Sequence, residues 1–335
     1  ATTGIYTLSL HDALPIYDST APSLYLWEFN ETDDTELGDA TSWPTIARLS
    51  KETVGTGWAT VFGSGAAEND LLQTDKEAYL FAVNSYDKGK VWVDENNDPA
   101  YKIKLSSSEL KNDIPSSPHL VDINDDSVYD RIYVGNLYGN LYRAKNIGFG
   151  QKPEVELFFN SENTDHRNPV TARACSGYDA GEDIWLFFGT GRYQDQIDKI
   201  TTDQQYFFGL FDKDASSSTP YTKSDLVEIQ TEIVEAYAVD DNDNPVDIDE
   251  DGDVDDDDLK QYRTISCASP DEEGRCNPDN KSWMLKLATP SGTASERSIS
   301  QPLVVGGVVF FTTFIPDGDV CEGNGDTYLD RKSVV

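Results

Sequence analysis

The chain has 335 residues, enough for one large β domain or two ordinary domains. Its 61 acids against 26 Lys and Arg give a formal net charge of −35, a field that repels nucleic acid and anionic membrane surfaces. Hydrophobic residues make up 38%, with 17 Tyr, 14 Phe and 6 Trp but a single Met, which excludes a disordered chain and favours strands over helical bundles.

The first segment, ATTGIYTLSLHDALPI, lacks the basic start and unbroken apolar run of a secretory signal, because His11 and Asp12 interrupt it. Leu10–Ile16 and the final Asp330–Val335 can be encoded by opposite strands of one sequencing adaptor. Residues 1–16 and 330–335 are therefore read as adaptor translation, and residues 17–329 as the natural part of a longer gene. No apolar run reaches the roughly 18 residues that a membrane span needs.

From Trp43 onward a loose unit of strand, turn and strand recurs. Its copies are Trp43–Asn84, Ser117–Ala144, Asn168–Asp212 and Ser300–Pro316. Each opens with Pro at the head of a strand, where a missing N–H costs least, and continues with a β-branched or aromatic run that mostly ends in Gly. Trp27, Trp58 and Trp185 fall in such runs and are read as core. Repeated units of this kind predict an all-β fold built as propeller blades, with a β-sandwich as the rival architecture. Four copies are fewer than the larger rings hold, so blades are degenerate or lacking.

Two acidic loops stand apart from the scattered surface acids. In the first, Asp122, Asn124, Asp126 and Asp130 occupy positions 1, 3, 5 and 9, and Val128 offers its carbonyl at position 7. Oxygen donors on alternate residues wrap one hard cation such as Ca²⁺. Ser127 stands at position 6, where Gly is favoured, and Tyr133 stands at position 12 in place of an acid. The loop runs directly into a Gly-turned hairpin, IYVGNLYGNLYRA.

The second, Asp247–Asp258, places Asp247, Asp249 and Asp251 at positions 1, 3 and 5 and Gly252 at the sharp turn. A carbonyl from Asp253 and carboxylates from Asp255 and Asp258 complete it, and the following LKQY is expected to start an exit helix. Like charges about 4 Å apart cost roughly 1 kcal/mol per pair in bulk water and about 4 near a protein surface, so such loops compact only around a cation. Asp94–Asp98 and Asp241–Asn244 read as ordinary turns.

Cys267 and Cys276 are spaced for a short disulfide loop, as in an exported protein, and Cys175 and Cys321 either pair or stay free. With three His and no CxxC, a Zn site is not indicated. Gly189–Tyr193, GTGRY, lacks the Lys-Ser/Thr of a phosphate loop and reads as a turn. No nucleophile elbow or Cys–His pair is present.

The ordered set YLWEF, PTIARL, GWATVFGSG, DINDDSVYDRIYVGNLYGNLYR, WLFFGTGRY, QQYFFGLFD, SWMLKL and SQPLVVGGVVFFTTFIPDGDVC resembles the C-terminal domain of the PilC/PilY family of type IV pilus biogenesis and tip-associated adhesin proteins. The resemblance covers nearly all of residues 17–329. It implies a quinoprotein-like propeller, an incomplete or modified seven-bladed ring, into which residues 240–262, read from their spacing as an EF-hand-like calcium loop, are inserted. It further implies a Gram-negative bacterial protein exported to the periplasm, outer membrane surface or pilus tip, with pilus components such as minor pilins and a host or abiotic surface as partners. In that family calcium in the Asp-rich loop regulates pilus extension against retraction; the matching positions here are Asp122, Asn124, Asp126, Val128 and Asp130. The loop at Asp247 falls in a variable insertion, so no role carries over to it. Two other readings stand beside this one: a quinone-dependent dehydrogenase on the same architecture, and a calcium-stabilised cell-surface scaffold.

Overall fold

A computed structural model describes residues 27–51, 57–65, 77–105, 114–163, 165, 167–179, 183–212, 219–237, 244–246, 259–267, 282–289, 294–316 and 325–333. These are almost entirely strand and turn. The first sheet joins β1 (Thr45–Arg48), β2 (Trp58–Gly63), β3 (Tyr79–Asn84) and β6 (Lys102–Lys104), with the short pair β4 (Trp92–Val93) and β5 (Pro99–Ala100) lying between β3 and β6 in sequence. The second is built from β7 (His119–Val121), β8 (Arg131–Gly135), β9 (Leu141–Lys145) and β10 (Glu154–Asn160), with a late strand, β14 (Tyr221–Thr222), at its outer edge.

The third sheet runs β11 (Cys175–Tyr178), β12 (Ile184–Gly189), β13 (Tyr206–Phe211), β17 (Trp283–Lys286), β15 (Val227–Tyr237) and β16 (Leu259–Cys267). The fourth is β18 (Leu303–Val305), β19 (Val308–Pro316) and β20 (Gly325–Ser333). In each sheet the first strands pair antiparallel in chain order, as the repeat predicted.

The sheets stack in series through their side chains. Ala47, Val61 and Leu80 of the first meet Ile132, Val134 and Tyr142 of the second. The opposite face of the second sheet, with Tyr133, Leu141 and Phe159, meets Leu186, Phe188 and Phe208 of the third. Trp185, Phe187, Phe207 and Trp283 then meet Val309 and Phe311 of the fourth. Both faces of the middle strands are thus covered, which is why β8 and β12 are buried at every residue; β12 reads as an unbroken apolar run, and β8 does so after Arg131. By contrast β19 alternates in burial; Leu303, Val305 and Leu329 lie on its outer side and are exposed. The outer face of the first sheet is covered by Trp27, Phe29 and Leu37, which pack on Phe62 and Phe81.

The recurring Gly at strand ends is a point of close approach rather than a turn. A Cβ on Gly135 would lie 2.2 Å from Val170 Cγ1, and one on Gly189 would lie 2.3 Å from Ser298 Cβ. At both, backbone from the next unit bonds alongside: Val170 N–H donates to the Asn136 carbonyl, and Ser298 N–H donates to the Thr190 carbonyl. This lacing explains a departure from expectation in the third unit. Asn168–Ala174 does not form a strand there; Val170 makes an isolated bridge to Gly191, and β11 begins only at Cys175. Pro44, Pro118 and Pro302 do stand immediately before strands.

A buried charge cluster fixes the second sheet against the third. Asp212, at the end of β13, has a side chain with no solvent exposure; it takes Arg131 at 2.5 Å and also accepts from Arg143 and the Tyr133 hydroxyl. Burial opposes charge on both guanidiniums, yet the Asp212 carboxylate outweighs it and holds their pKa values above the ordinary Arg value. Arg143 also reaches Glu156 at 2.5 Å, and Lys145 shares that carboxylate.

Three further expectations change. Leu259–Tyr262 enters strand β16 instead of a helix, because β16 pairs along its whole length with β15 from Tyr237↔Leu259 to Ile229↔Cys267. Trp58 is not core: it lies opposite Arg48 at 46% exposure, whereas Trp185 is buried and Trp27 half-buried, its ring N–H donating to the Ser85 carbonyl. Gly189–Tyr193 is not the turn expected: Gly189 ends β12, and pairing continues beyond it as Thr190 N–H donates to the Tyr206 carbonyl and Gly191 bridges Val170. Asp94–Asp98 does turn, closing on the Asp94 carboxylate, which accepts from the N–H groups of Asn96 and Asp98. Cys175 is a free thiol, while Cys276, Cys321, residues 1–26 and the Asp241–Asp243 part of the other turn lie outside the described residues.

Candidate metal centre

The Asp122 loop joins β7 to β8, and its ends are pinned where Asp130 N–H donates to the Val121 carbonyl. Within it the Asp122 carboxylate accepts from Asp126 N–H at 3.2 Å and from Ser127 N–H at 2.7 Å. The Asp126 carboxylate accepts from Val128 N–H at 2.9 Å, and the Asp130 carboxylate from Ile123 N–H at 2.8 Å. The chain reverses through left-handed backbone at Asp125 (φ 56°) and Ser127 (φ 67°). Position 6 therefore makes the turn that Gly usually makes, with Ser bearing a modest conformational cost. Asn124 is exposed, and Val128 is half-buried.

Three groups from outside the loop reach it. The carbonyl of Arg48, the last residue of β1, accepts from Tyr129 N–H at 2.9 Å. The Lys51 ammonium lies 2.8 Å from Asp126 Oδ2 and holds that carboxyl below the ordinary carboxylate range. From β11, the Tyr178 hydroxyl donates to the Asp122 carbonyl at 2.9 Å. Burial, then the charges of Asp122, Asp125 and Asp130, raise the Tyr178 phenol above its usual pKa. None of Arg48, Lys51 and Tyr178 was marked by the sequence. Spacing inside a loop is visible there, but a contact across 56 residues is not.

The donor chemistry suits calcium. Carboxylates from Asp122, Asp126 and Asp130, the amide oxygen of Asn124 and the Val128 carbonyl are all hard oxygens. Lys51 already serves as a stand-in cation on one of them. Among the described residues, no three His, Cys, Asp or Glu side chains converge on one metal position, so a metal would have to draw these oxygens inward. The second loop's Asp247, Asp249, Asp251, Asp253, Asp255 and Asp258 lie outside the described residues. Its flanks are described: β15 and β16 are paired at Tyr237 and Leu259, so residues 238–258 join the two strands of that long hairpin. Among the described residues, no helix is long and apolar enough to cross a membrane.

No family model matches the chain. It is 26% identical over 337 aligned residues, 93% of the chain, to a type IV pilus biogenesis factor PilY1 homolog of Xylella fastidiosa. It is 24% identical to the type IV pilus biogenesis factor PilY1 of Pseudomonas aeruginosa strain UCBPP-PA14 across 90% of the chain. The chain spans only 20% and 27% of the lengths of these two relatives. In structure it matches the crystal structure of the Pseudomonas aeruginosa PilY1 C-terminal domain with a TM-score of 0.66 at 20% identity, covering 92% of this chain and 61% of that one. The resemblance read from the sequence is thus shown: along about nine-tenths of its length the chain is similar to PilY1, and it shares the all-β, propeller-like fold of the PilY1 C-terminal domain.

Proposed function

We propose that the chain is part of a type IV pilus biogenesis factor and that it acts as a calcium-responsive binding domain, not as an enzyme. What carries this reading is the collinear match to PilY1 proteins over 93% of the chain, joined to a common fold. On this reading the four sheets are blades of a larger, seven-bladed quinoprotein-like ring. The whole protein is exported by a Gram-negative bacterium to the pilus tip, outer membrane surface or periplasm, where it meets minor pilins and the surface to which the cell attaches.

Calcium then binds at Asp122, Asn124, Asp126, Val128 and Asp130, and its presence biases the pilus between extension and retraction. The donor set and the left-handed turn at Ser127 support that placement. Five hard oxygens supply about the number of protein ligands that a Ca²⁺ ion takes before water completes the shell. The chain's own residues orient these oxygens: N–H groups of Asp126 and Ser127 aim the Asp122 carboxylate, and Ile123 N–H aims that of Asp130. The Asp247–Asp258 loop is a second calcium site by its spacing, with Asp247, Asp249, Asp251, Asp253, Asp255 and Asp258 as ligands.

The test uses the full-length protein in a piliated bacterium lacking its own copy. Asp122→Ala combined with Asp126→Ala is expected to change surface pilus number and twitching while protein level holds. Unaltered pili and motility would remove the calcium-switch reading.

A further inference from the structure

We propose that the Asp122 loop is a junction through which a bound cation sets the packing of three sheets. Lys51 is its resident counter-ion, which the cation displaces, and Tyr178 is the strut that ties it to the neighbouring sheet. The inference rests on the loop being the calcium site described above.

By sequence the loop belongs to the second sheet alone. In space it holds one contact with the first sheet's backbone, through Tyr129 N–H and the Arg48 carbonyl. It holds a second through Lys51, just beyond β1, whose ammonium is on Asp126 at 2.8 Å. The third sheet enters through Tyr178, the last residue of β11, whose hydroxyl bonds the carbonyl of the loop's first ligand residue, Asp122, at 2.9 Å.

These two side chains act in opposite directions on cation binding. Lys51 neutralises Asp126 without a metal, and an ammonium and a divalent ion on one carboxylate repel each other. At 62% exposure on a flexible four-carbon stem, Lys51 moves into water at little cost, so it sets an affinity rather than blocking the site. Tyr178 donates to a backbone oxygen that is not itself a ligand, so it need not move when the loop fills. Holding Asp122 in place beforehand lowers the ordering cost of binding. Conversely, a filled loop fixes the Asp122 carbonyl and, through Tyr178, the end of β11. That strand is further tied to the second sheet by Ser176 Oγ, 2.9 Å from His119 Nε2.

The experiment uses the full chain with Asp247→Asn, Asp249→Asn and Asp251→Asn, so that only the first loop titrates. Calcium affinity is measured by calorimetry, and amide hydrogen exchange is followed in Cys175–Tyr178. K51M is expected to bind Ca²⁺ about two- to five-fold more tightly, and K51R to match the parent. The parent is expected to show calcium-induced slowing of exchange in β11, and Y178F to bind about two- to ten-fold more weakly and to lose that slowing. Both positions are exposed, and an unchanged melting temperature without calcium confirms that each variant is folded. Unaltered affinity in K51M, or equal slowing of β11 in Y178F and parent, overturns the junction while leaving the calcium site standing. A parent that binds no calcium sensitive to Asp122→Ala overturns both.

Discussion

Two groups of aspartates in this protein solve the same electrostatic problem in opposite ways. Asp212 is fully buried and is neutralised by Arg131 and Arg143, with Tyr133 completing its hydrogen bonds. Asp122, Asp126 and Asp130 sit at the surface, share their charge among backbone N–H groups and one exposed lysine, and keep oxygen lone pairs to spare. The first arrangement is closed: the Asp212 side chain has no solvent exposure, and its partners are sealed in with it. The second is open to a cation from solution. Burial separates them, because an uncompensated charge inside costs several kcal/mol, whereas outside water screens it.

The sharpest way to break that contrast is to remove the buried acid. Asp212→Ala leaves two arginines facing each other in the interface between the second and third sheets, and is expected to cost about 3–5 kcal/mol in urea unfolding. The loss should be the same with and without calcium; a loss that calcium restores would show that the two groups are not independent.

The next largest effect probes how closely the sheets approach. Gly135→Ala puts a Cβ 2.2 Å from Val170, a buried β-branched side chain with no room to yield, and about 2–3 kcal/mol should be lost. Gly150→Ala is the control, since nothing lies within 4 Å there, although its left-handed backbone (φ 66°) adds a smaller cost of its own.

A pH effect of about 2 kcal/mol follows from His119 on the same interface. Burial, then the nearby Arg173 charge, pulls its pKa from 6.5 to about 4. The unfolded chain therefore binds a proton that the folded chain refuses between those values, and stability falls as pH drops from 6.5 toward 4. At pH 5 the loss relative to neutral pH should be about 2 kcal/mol. His119→Gln keeps a hydrogen-bonding partner for Ser176 and should remove this component. Denaturant midpoints of the two proteins across pH 4–7 check it against the background of other carboxylates.

The smallest expected effect belongs to the open site. Calcium at ten times its dissociation constant should stabilise the protein by about 1.4 kcal/mol per site. Asp122→Ala should delete the contribution of the first loop, and the shift in melting temperature reports it. A calcium response that survives both Asp122→Ala and Asp247→Asn would place the ion elsewhere.

Much of the architecture was legible along the chain. Aromatic and β-branched runs punctuated by Pro and Gly fix strand identity locally, and β1 to β3, β7 to β9, β12 and β13 fall where those runs lie. The spacing of Asp122, Asn124, Asp126 and Asp130 likewise needs only one short segment to be read. Local patterns failed where partners are distant. Asn168–Ala174 has the composition of a strand but is laced to Asn136 and Gly191 instead, and Leu259–Tyr262 extends because β15 offers it a ladder. Trp58 looks like core from its aromatic run, yet it lies opposite Arg48 at the start of β2 and is exposed.

The sequence by itself determined that this is an all-β protein of repeated units bearing closely spaced acids, because strand propensity and ligand spacing are properties of neighbouring residues. Only the tertiary structure decided which acid is buried and which is open, and that Arg48, Lys51 and Tyr178 gather at one loop. Those outcomes depend on how sheets stack face to face, and stacking brings together groups whose separation along the chain carries no signal.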